Sequence, residues 1–74
     1  MYERVAELLV EELGVDKERI GPEATLKSLG VDSLDVAEFI LVLERTFNIE
    51  FSDDELDKLL TVGNVVACIE DKMA

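Results

Sequence analysis

The amino-acid sequence predicts an all-α fold: a small four-helix bundle with three longer helices, one short helix and a long loop between helices 1 and 2. Three observations lead to this prediction. Apolar residues recur every three or four positions in four separate segments. Residues suited to start or stop a helix flank these segments, and no stretch alternates apolar and polar residues as a half-buried strand would. The length of 74 residues predicts a single domain, 1–74, around one small core.

The first helix is predicted over about residues 2–13, and Gly14 supplies the left-handed conformation that ends many helices. Its helical spacing is carried by Val5, Leu8, Leu9 and Leu13. The loop that follows, roughly 15–31, is long for so small a domain, and loops of this length are usually mobile or functional. The apolar residues expected to attach the loop to the bundle are Val15, Ile20, Leu26 and Leu29.

The second helix is predicted over about residues 33–47, with Asp32 as its N-cap. Val31 and Val36 stand at the two positions of a hydrophobic staple, which fixes how the chain enters a helix. At about 100° per residue, one set of apolar side chains shares the core face. That set is Val36, Phe39, Ile40, Leu43 and Phe47.

The third and fourth helices are each predicted from a capping residue. Ser52 and Glu55 fit a capping box before the short third helix, and Phe51 and Leu56 fit its hydrophobic staple. Thr61 is the expected cap of the fourth helix. Its predicted apolar stripe consists of Val62, Val65, Val66, Ile69 and Met73.

A second group of apolar residues on the second helix lies away from the core face. Leu34, Ala37 and Leu41 flank the charged side, and Val42 falls within it. The residues expected to face solvent there are Asp35, Glu38, Arg45 and Thr46. Two interpretations of Leu34 remain open: loop residues cover it, or it belongs to a docking surface in which apolar contacts lie beside carboxylates.

Composition excludes several classes of function. Eighteen acidic residues against seven basic ones give a net charge of −11, so nucleic acids and anionic membranes are poor partners and a basic protein surface is a good one. No segment is long and apolar enough to span a bilayer. One cysteine and no histidine leave no zinc site, and the spacing of acidic residues before Glu38 does not fit an EF-hand. We therefore expect no metal.

Ser33 stands out because nothing in the sequence equips it as a nucleophile. Serine nucleophiles need a base, usually histidine, and this chain has no histidine. Lys27 could in principle replace it, but nothing in the local pattern supports a Ser–Lys pair. With Asp32 as the cap, Ser33 is the first residue of the second helix, where unpaired backbone N–H groups tolerate an anion. The carboxylates of Asp32 and Asp35 would repel that anion, and this repulsion is similar in size to the stabilisation by the N–H groups. A phosphate ester here is therefore expected to serve as a tether point.

The segment LGVDSLD, residues 29–35, resembles the Leu-Gly-x-Asp-Ser-Leu-Asp motif of acyl carrier proteins. The likeness continues in VAELLVEELGV, AEFILVLERTFNIEFSDDEL and TVGNVV, so it covers nearly the whole chain in register. It implies a non-catalytic carrier with 4′-phosphopantetheine attached to Ser33 by a phosphopantetheinyl transferase, beside Asp32 as helix cap. The terminal thiol of that group would carry acyl chains as thioesters for fatty-acid or related lipid biosynthesis.

The resemblance also assigns partner and cargo positions. Residues implied to dock the basic surfaces of the transferase and of acyl-transferring or synthase enzymes are Asp32, Leu34, Asp35, Glu38, Leu41 and Glu44. Ile40 and Leu43 are implied to line the cleft for the acyl chain. We expect a cytoplasmic monomer, in agreement with the single cysteine, Cys68, and with an acidic amino terminus unlike a signal peptide.

Some residues depart from the pattern of fatty-acid carriers. Arg45 and Thr46 interrupt an acidic run, and Ser52 replaces a proline. Only two residues separate Leu26 from Leu29, as in polyketide and peptidyl carriers. A specialised carrier of that type is therefore one alternative, and an unmodified acidic protein-interaction bundle is another.

Overall fold

The computed structural model describes residues 1–74 and contains four α-helices and no β-strand. They are α1 (Tyr2–Leu13), α2 (Ser33–Phe47), α3 (Asp53–Leu56) and α4 (Val62–Met73). Short 3₁₀ turns at Lys17–Arg19 and Lys27–Leu29 interrupt the loop between α1 and α2. The predicted all-α fold of three longer helices and one short helix is confirmed. None of these helices combines the length and apolar character needed to cross a lipid bilayer.

Helix α1 occupies the predicted range because its apolar stripe faces α2 and α4. Val5, Leu8 and Leu9 are buried on that stripe. Gly14 adopts a φ of 67°, and its N–H donates to the carbonyls of Leu9 and Val10. Left-handed backbone of this kind favours glycine, so the predicted end of the helix is confirmed with its cause.

Helix α2 begins and ends where its flanking residues allow. The Oδ1 atom of Asp32 accepts a hydrogen bond from the N–H of Asp35 at 2.8 Å, which confirms Asp32 as the N-cap. Asn48 ends the helix at a φ of 54°. The buried residues of α2 are Phe39, Ile40 and Leu43. Val42, which falls within the polar stripe by angle alone, is half-buried and packs against the core.

The loop between α1 and α2 is attached to the bundle both by its side chains and by backbone hydrogen bonds. Its predicted apolar residues pack into or against the core, with Ile20 partly exposed. The loop backbone joins both the segment before α4 and the first turn of α4. The N–H of Leu26 donates to the carbonyl of Leu60, and the N–H of Gly63 donates to the carbonyl of Pro22 at 2.9 Å. A Cβ atom at Gly63 would lie 2.7 Å from that carbonyl oxygen, so this approach requires glycine.

Helices α3 and α4 both begin with complete capping boxes. Ser52 pairs with Glu55 and Thr61 pairs with Asn64, each through two reciprocal hydrogen bonds. Four of the five residues predicted for the apolar stripe of α4 are buried: Val62, Val65, Val66 and Ile69. The prediction for Met73 is wrong, since 53% of its surface is exposed. Met73 lies in the last turn, beyond Ile69, where the core no longer reaches.

Candidate functional site

Ser33 lies at the surface as the first residue of α2. Its hydroxyl takes part in no hydrogen bond within the chain. Asp32 performs the capping through its bond to the Asp35 N–H. The hydroxyl is therefore accessible and has no structural partner to lose on modification.

The electrostatic surroundings of Ser33 contain two opposing terms. The unpaired N–H groups and the dipole of the helix stabilise an anion by roughly 0.3–1 kcal/mol. The carboxylates of Asp32 and Asp35 flank the hydroxyl in sequence and oppose a phosphate by repulsion of a similar size. The position can accept a phosphate ester without depending on it for stability.

An apolar pocket of about 480 Å³ opens beside Ser33. Helix α2 forms one side of it, and the segment around α3 forms the other. Seven of its nine lining residues are hydrophobic, which suits an aliphatic guest. The lining consists of Ser33, Val36, Ala37, Ile40, Leu41, Glu44, Phe51, Leu56 and Leu59.

The two cleft residues assigned from the resemblance occupy different places. Ile40 lines the pocket, whereas Leu43 does not and is fully buried in the core. Leu43 follows Ile40 by three residues, which is about 300° around the helix. Its side chain therefore points about 60° away from that of Ile40, towards the core and away from the opening. Sequence reasoning missed the second wall as part of the pocket. Its signal was nonetheless present, because the predicted staple pair, Phe51 and Leu56, belongs to that wall.

The exposed face of α2 carries the mixed surface that one interpretation of Leu34 predicted. Leu34 and Leu41 are 70% and 51% exposed, so no loop residue covers them. Glu38 is exposed between them, and Asp35 is half-buried. Apolar side chains next to carboxylates on one accessible helix face fit a partner with a basic rim around an apolar contact.

Glu44, the last of the assigned docking residues, differs from the others. Its side chain is half-buried, and its Oε2 atom accepts a hydrogen bond from the N–H of Phe51 at 2.9 Å. This contact joins the fourth turn of α2 to the segment before α3. Glu44 therefore lies on the pocket wall, with part of its hydrogen-bonding capacity used inside the chain.

A cluster of polar side chains holds α3 against α4. Glu55 Oε1 lies 2.7 Å from Lys72 Nζ and accepts the Ser52 N–H at 2.9 Å, while the Cys68 thiol donates to Glu55 Oε2 at 3.5 Å. The bonds from Lys72 and the Ser52 N–H lower the pKa of Glu55 from 4.5 to about 2. The Lys72 ammonium also lies 5.6 Å from the centre of the Phe51 ring. This cluster positions one wall of the pocket.

Comparisons with known proteins agree with the geometry. A family model described as the phosphopantetheine attachment site matches residues 3–69. An acyl carrier protein of Helicobacter pylori (strain J99) is 46% identical over 72 residues, which are 96% of this chain and 92% of that protein. The crystal structure of an acyl carrier protein from Thermotoga maritima matches with a TM-score of 0.83 at 30% identity, over 96% of this chain and 84% of that one.

A covalently attached phosphopantetheine group needs an accessible hydroxyl. The free Ser33 hydroxyl meets this requirement, and an apolar pocket lies beside it. The resemblance in the motif is confirmed by matches that cover nearly the whole chain. The chain belongs to the acyl carrier protein family, and its cofactor is covalently attached 4′-phosphopantetheine.

Proposed function

We propose that this chain carries acyl intermediates as thioesters on a phosphopantetheine group attached to Ser33 and delivers them to enzymes of fatty-acid or related lipid biosynthesis in the cytoplasm. The observation that carries the proposal is the exposed, unpaired Ser33 hydroxyl at the opening of the apolar pocket. The group supplies a thiol that forms thioesters. The chain itself is a non-catalytic carrier and acts as a monomer.

Loading uses Ser33 as an acceptor and requires a separate enzyme. A phosphoester bond forms between the Ser33 oxygen and the phosphorus of the phosphopantetheine moiety of coenzyme A. The pyrophosphate bond breaks, and adenosine bisphosphate leaves. We assign the base that receives the hydroxyl proton to the phosphopantetheinyl transferase, because no side chain of this protein hydrogen-bonds to the Ser33 hydroxyl. Asp32 keeps the start of α2 in place through its cap.

Docking uses the exposed face of α2. Leu34 and Leu41 provide the apolar contacts, and Asp35 and Glu38 provide the carboxylates that meet Lys and Arg side chains on the partner. The net charge of −11 steers the encounter with basic surfaces from a distance. Partners include the transferase and the acyl-transferring or synthase enzymes.

The pocket shelters the acyl chain from water during delivery. Ile40 and its neighbours on α2 present apolar surface to the chain, and Leu43 supports them from the core. Each buried methylene contributes about 0.8 kcal/mol, so a chain of several carbons gains appreciably by entering.

Intact-mass measurement after incubation with coenzyme A and a phosphopantetheinyl transferase tests the attachment. The wild-type chain should gain one phosphopantetheine group and Ser33→Ala should gain none. Ser28→Ala is the matched control, because Ser28 is another exposed serine, five positions earlier, and should leave loading intact. Modification of Ser33→Ala would place the attachment elsewhere. Absence of the adduct on the wild type would favour an unmodified interaction bundle.

A specialised carrier of the polyketide or peptidyl type is the alternative. The two-residue spacing between Leu26 and Leu29 favours it, and Arg45 and Thr46 weaken the match to fatty-acid carriers. Arg45 and Thr46 are both exposed on α2, at positions where fatty-acid carriers commonly continue a run of acidic residues. Charging the loaded protein with fatty acyl, polyketide and aminoacyl groups separates the two. Acceptance of the charged protein by a fatty-acid synthase supports our proposal, whereas acceptance only by a polyketide synthase or peptide synthetase supports the alternative.

A further inference from the structure

The apolar pocket has polar residues only at the two ends of its α2 side. Ser33 and Glu44 are the two non-hydrophobic residues of its lining, and the α2 residues between them in the lining are apolar. The two positions are eleven residues apart on the α-helix, which corresponds to about 16.5 Å along the axis. A guest that enters beside Ser33 therefore runs over apolar side chains before it reaches a carboxylate.

The Glu44 carboxylate is held at that far end by the opposite wall. Its Oε2 atom accepts the N–H of Phe51 at 2.9 Å, and Phe51 itself is a buried lining residue. Its Oε1 atom makes no hydrogen bond within the chain. One acceptor is thus free to meet either water or the end of the cargo.

We propose that Glu44 is a specificity-determining residue: it limits the length of plain aliphatic cargo and favours cargo with a hydrogen-bond donor at that depth. The inference deepens the proposed function and rests on it. A methyl end that reaches Glu44 removes water from a carboxylate and returns no hydrogen bond, which is unfavourable. A hydroxyl at the same place donates to the free oxygen and restores the lost bond.

Chain-length dependence of thermal stability tests this role. Wild type, Glu44→Gln and Glu11→Gln are loaded by a transferase from saturated acyl-coenzyme A thioesters of increasing length and from their terminally hydroxylated counterparts. Melting temperatures are compared with those of the same proteins carrying phosphopantetheine alone. Glu44→Gln keeps an oxygen acceptor for the Phe51 N–H. Glu11→Gln removes the same charge from an exposed position on α1, outside both the pocket and the docking face of α2.

The chain length that gives the greatest stabilisation should shift to longer saturated chains in Glu44→Gln and stay unchanged in Glu11→Gln. The wild type should gain more from a terminal hydroxyl at its length limit than Glu44→Gln does. Equal length limits in all three loaded proteins would overturn the inference and leave the proposed function standing. Failure of the wild type to accept any group would overturn the proposed function and the inference with it.

Discussion

Asp32 caps α2, and Ser33 offers an accessible hydroxyl. A serine at a helix start usually uses its hydroxyl for the cap, so here the two roles belong to two residues. The aspartate satisfies a backbone donor of the first turn, at 2.8 Å from the Asp35 N–H. The serine hydroxyl is left without a partner and exposed to reagents. Placing the cap one residue earlier means that chemistry at the hydroxyl leaves the helix terminus intact.

Removal of the cap should destabilise the protein, whereas removal of the hydroxyl should not. We expect Asp32→Ala to lower the free energy of unfolding by about 0.5–2 kcal/mol, because the Asp35 N–H loses its acceptor. Ser33→Ala should change it little. Urea denaturation of the unloaded proteins measures both, with Asp32→Asn as the control that keeps a capping oxygen. A destabilised Ser33→Ala beside an unchanged Asp32→Ala would show that the serine is the cap.

At the scale of elements, α3 depends on its neighbours. It has four residues, none of them buried, and a helix this short has no stability of its own in water. Glu55 holds it through the Ser52 N–H on one side and the side chains of Lys72 and Cys68 on the other. The two largest effects on the pKa of the Cys68 thiol both raise it: burial is the larger and the hydrogen bond to Glu55 is the smaller. The thiol is therefore protonated at neutral pH, the form in which a cysteine is a poor nucleophile.

Acid should weaken the hold of α4 on α3. Because the pKa of Glu55 is about 2 in the folded chain and 4.5 ordinarily, the unfolded chain binds more protons between these values. The contribution of Glu55 to stability is complete above about pH 4.5 and is lost as the pH falls towards 2. Glu55→Gln should therefore show a shallower fall in the free energy of unfolding over this range than the wild type.

Urea denaturation at several pH values measures that slope, and Glu7→Gln is the matched control. Glu7 pairs with Arg4 on α1, where the two side chains are 60% and 49% exposed, compared with 31% and 22% for Glu55 and Lys72. Water screens the more exposed pair. Glu7→Gln should follow the wild-type slope. Equal slopes for Glu55→Gln and the wild type would contradict the role given to this cluster.

At the scale of the whole molecule, a net charge of −11 acts on every partner. A field of this sign speeds encounters with basic surfaces and decreases with salt, whichever acidic residues produce it. A docking surface adds a local effect that depends on position. The effect of the net charge can be distinguished from that of the docking surface by making the same charge change inside and outside that surface.

Glu38→Lys and Glu11→Lys each change the net charge by the same amount, but Glu38 lies on the proposed docking face of α2 and Glu11 is exposed on α1. Binding to the phosphopantetheinyl transferase should weaken more for Glu38→Lys, with a larger loss of salt dependence, because only this change places a like charge in the contact. Surface plasmon resonance at several salt concentrations measures both. Equal losses for the two variants would leave the global field as the whole effect and remove α2 as the docking face.

Local patterns predicted most of the fold and the position of the serine. Gly14, Asp32, Ser52 and Thr61 each mark a helix boundary by their own backbone or side-chain chemistry, so a few neighbouring residues suffice to place them. Met73 shows where this reasoning fails. Its angle on the helix matched the stripe, but the core ends before it.

Residues close together in the chain were enough to predict the helices, their ends, the acidic character and a serine that does not act as a cap. Packing in three dimensions was needed to place the pocket between α2 and the α3 segment, Ile40 in its lining and Leu43 behind it in the core. The hydrogen bond from the Phe51 N–H to the inward-turned Glu44 depends on that packing as well. These features depend on how segments distant in sequence pack, where a small rotation of a helix moves a side chain from one surface to another.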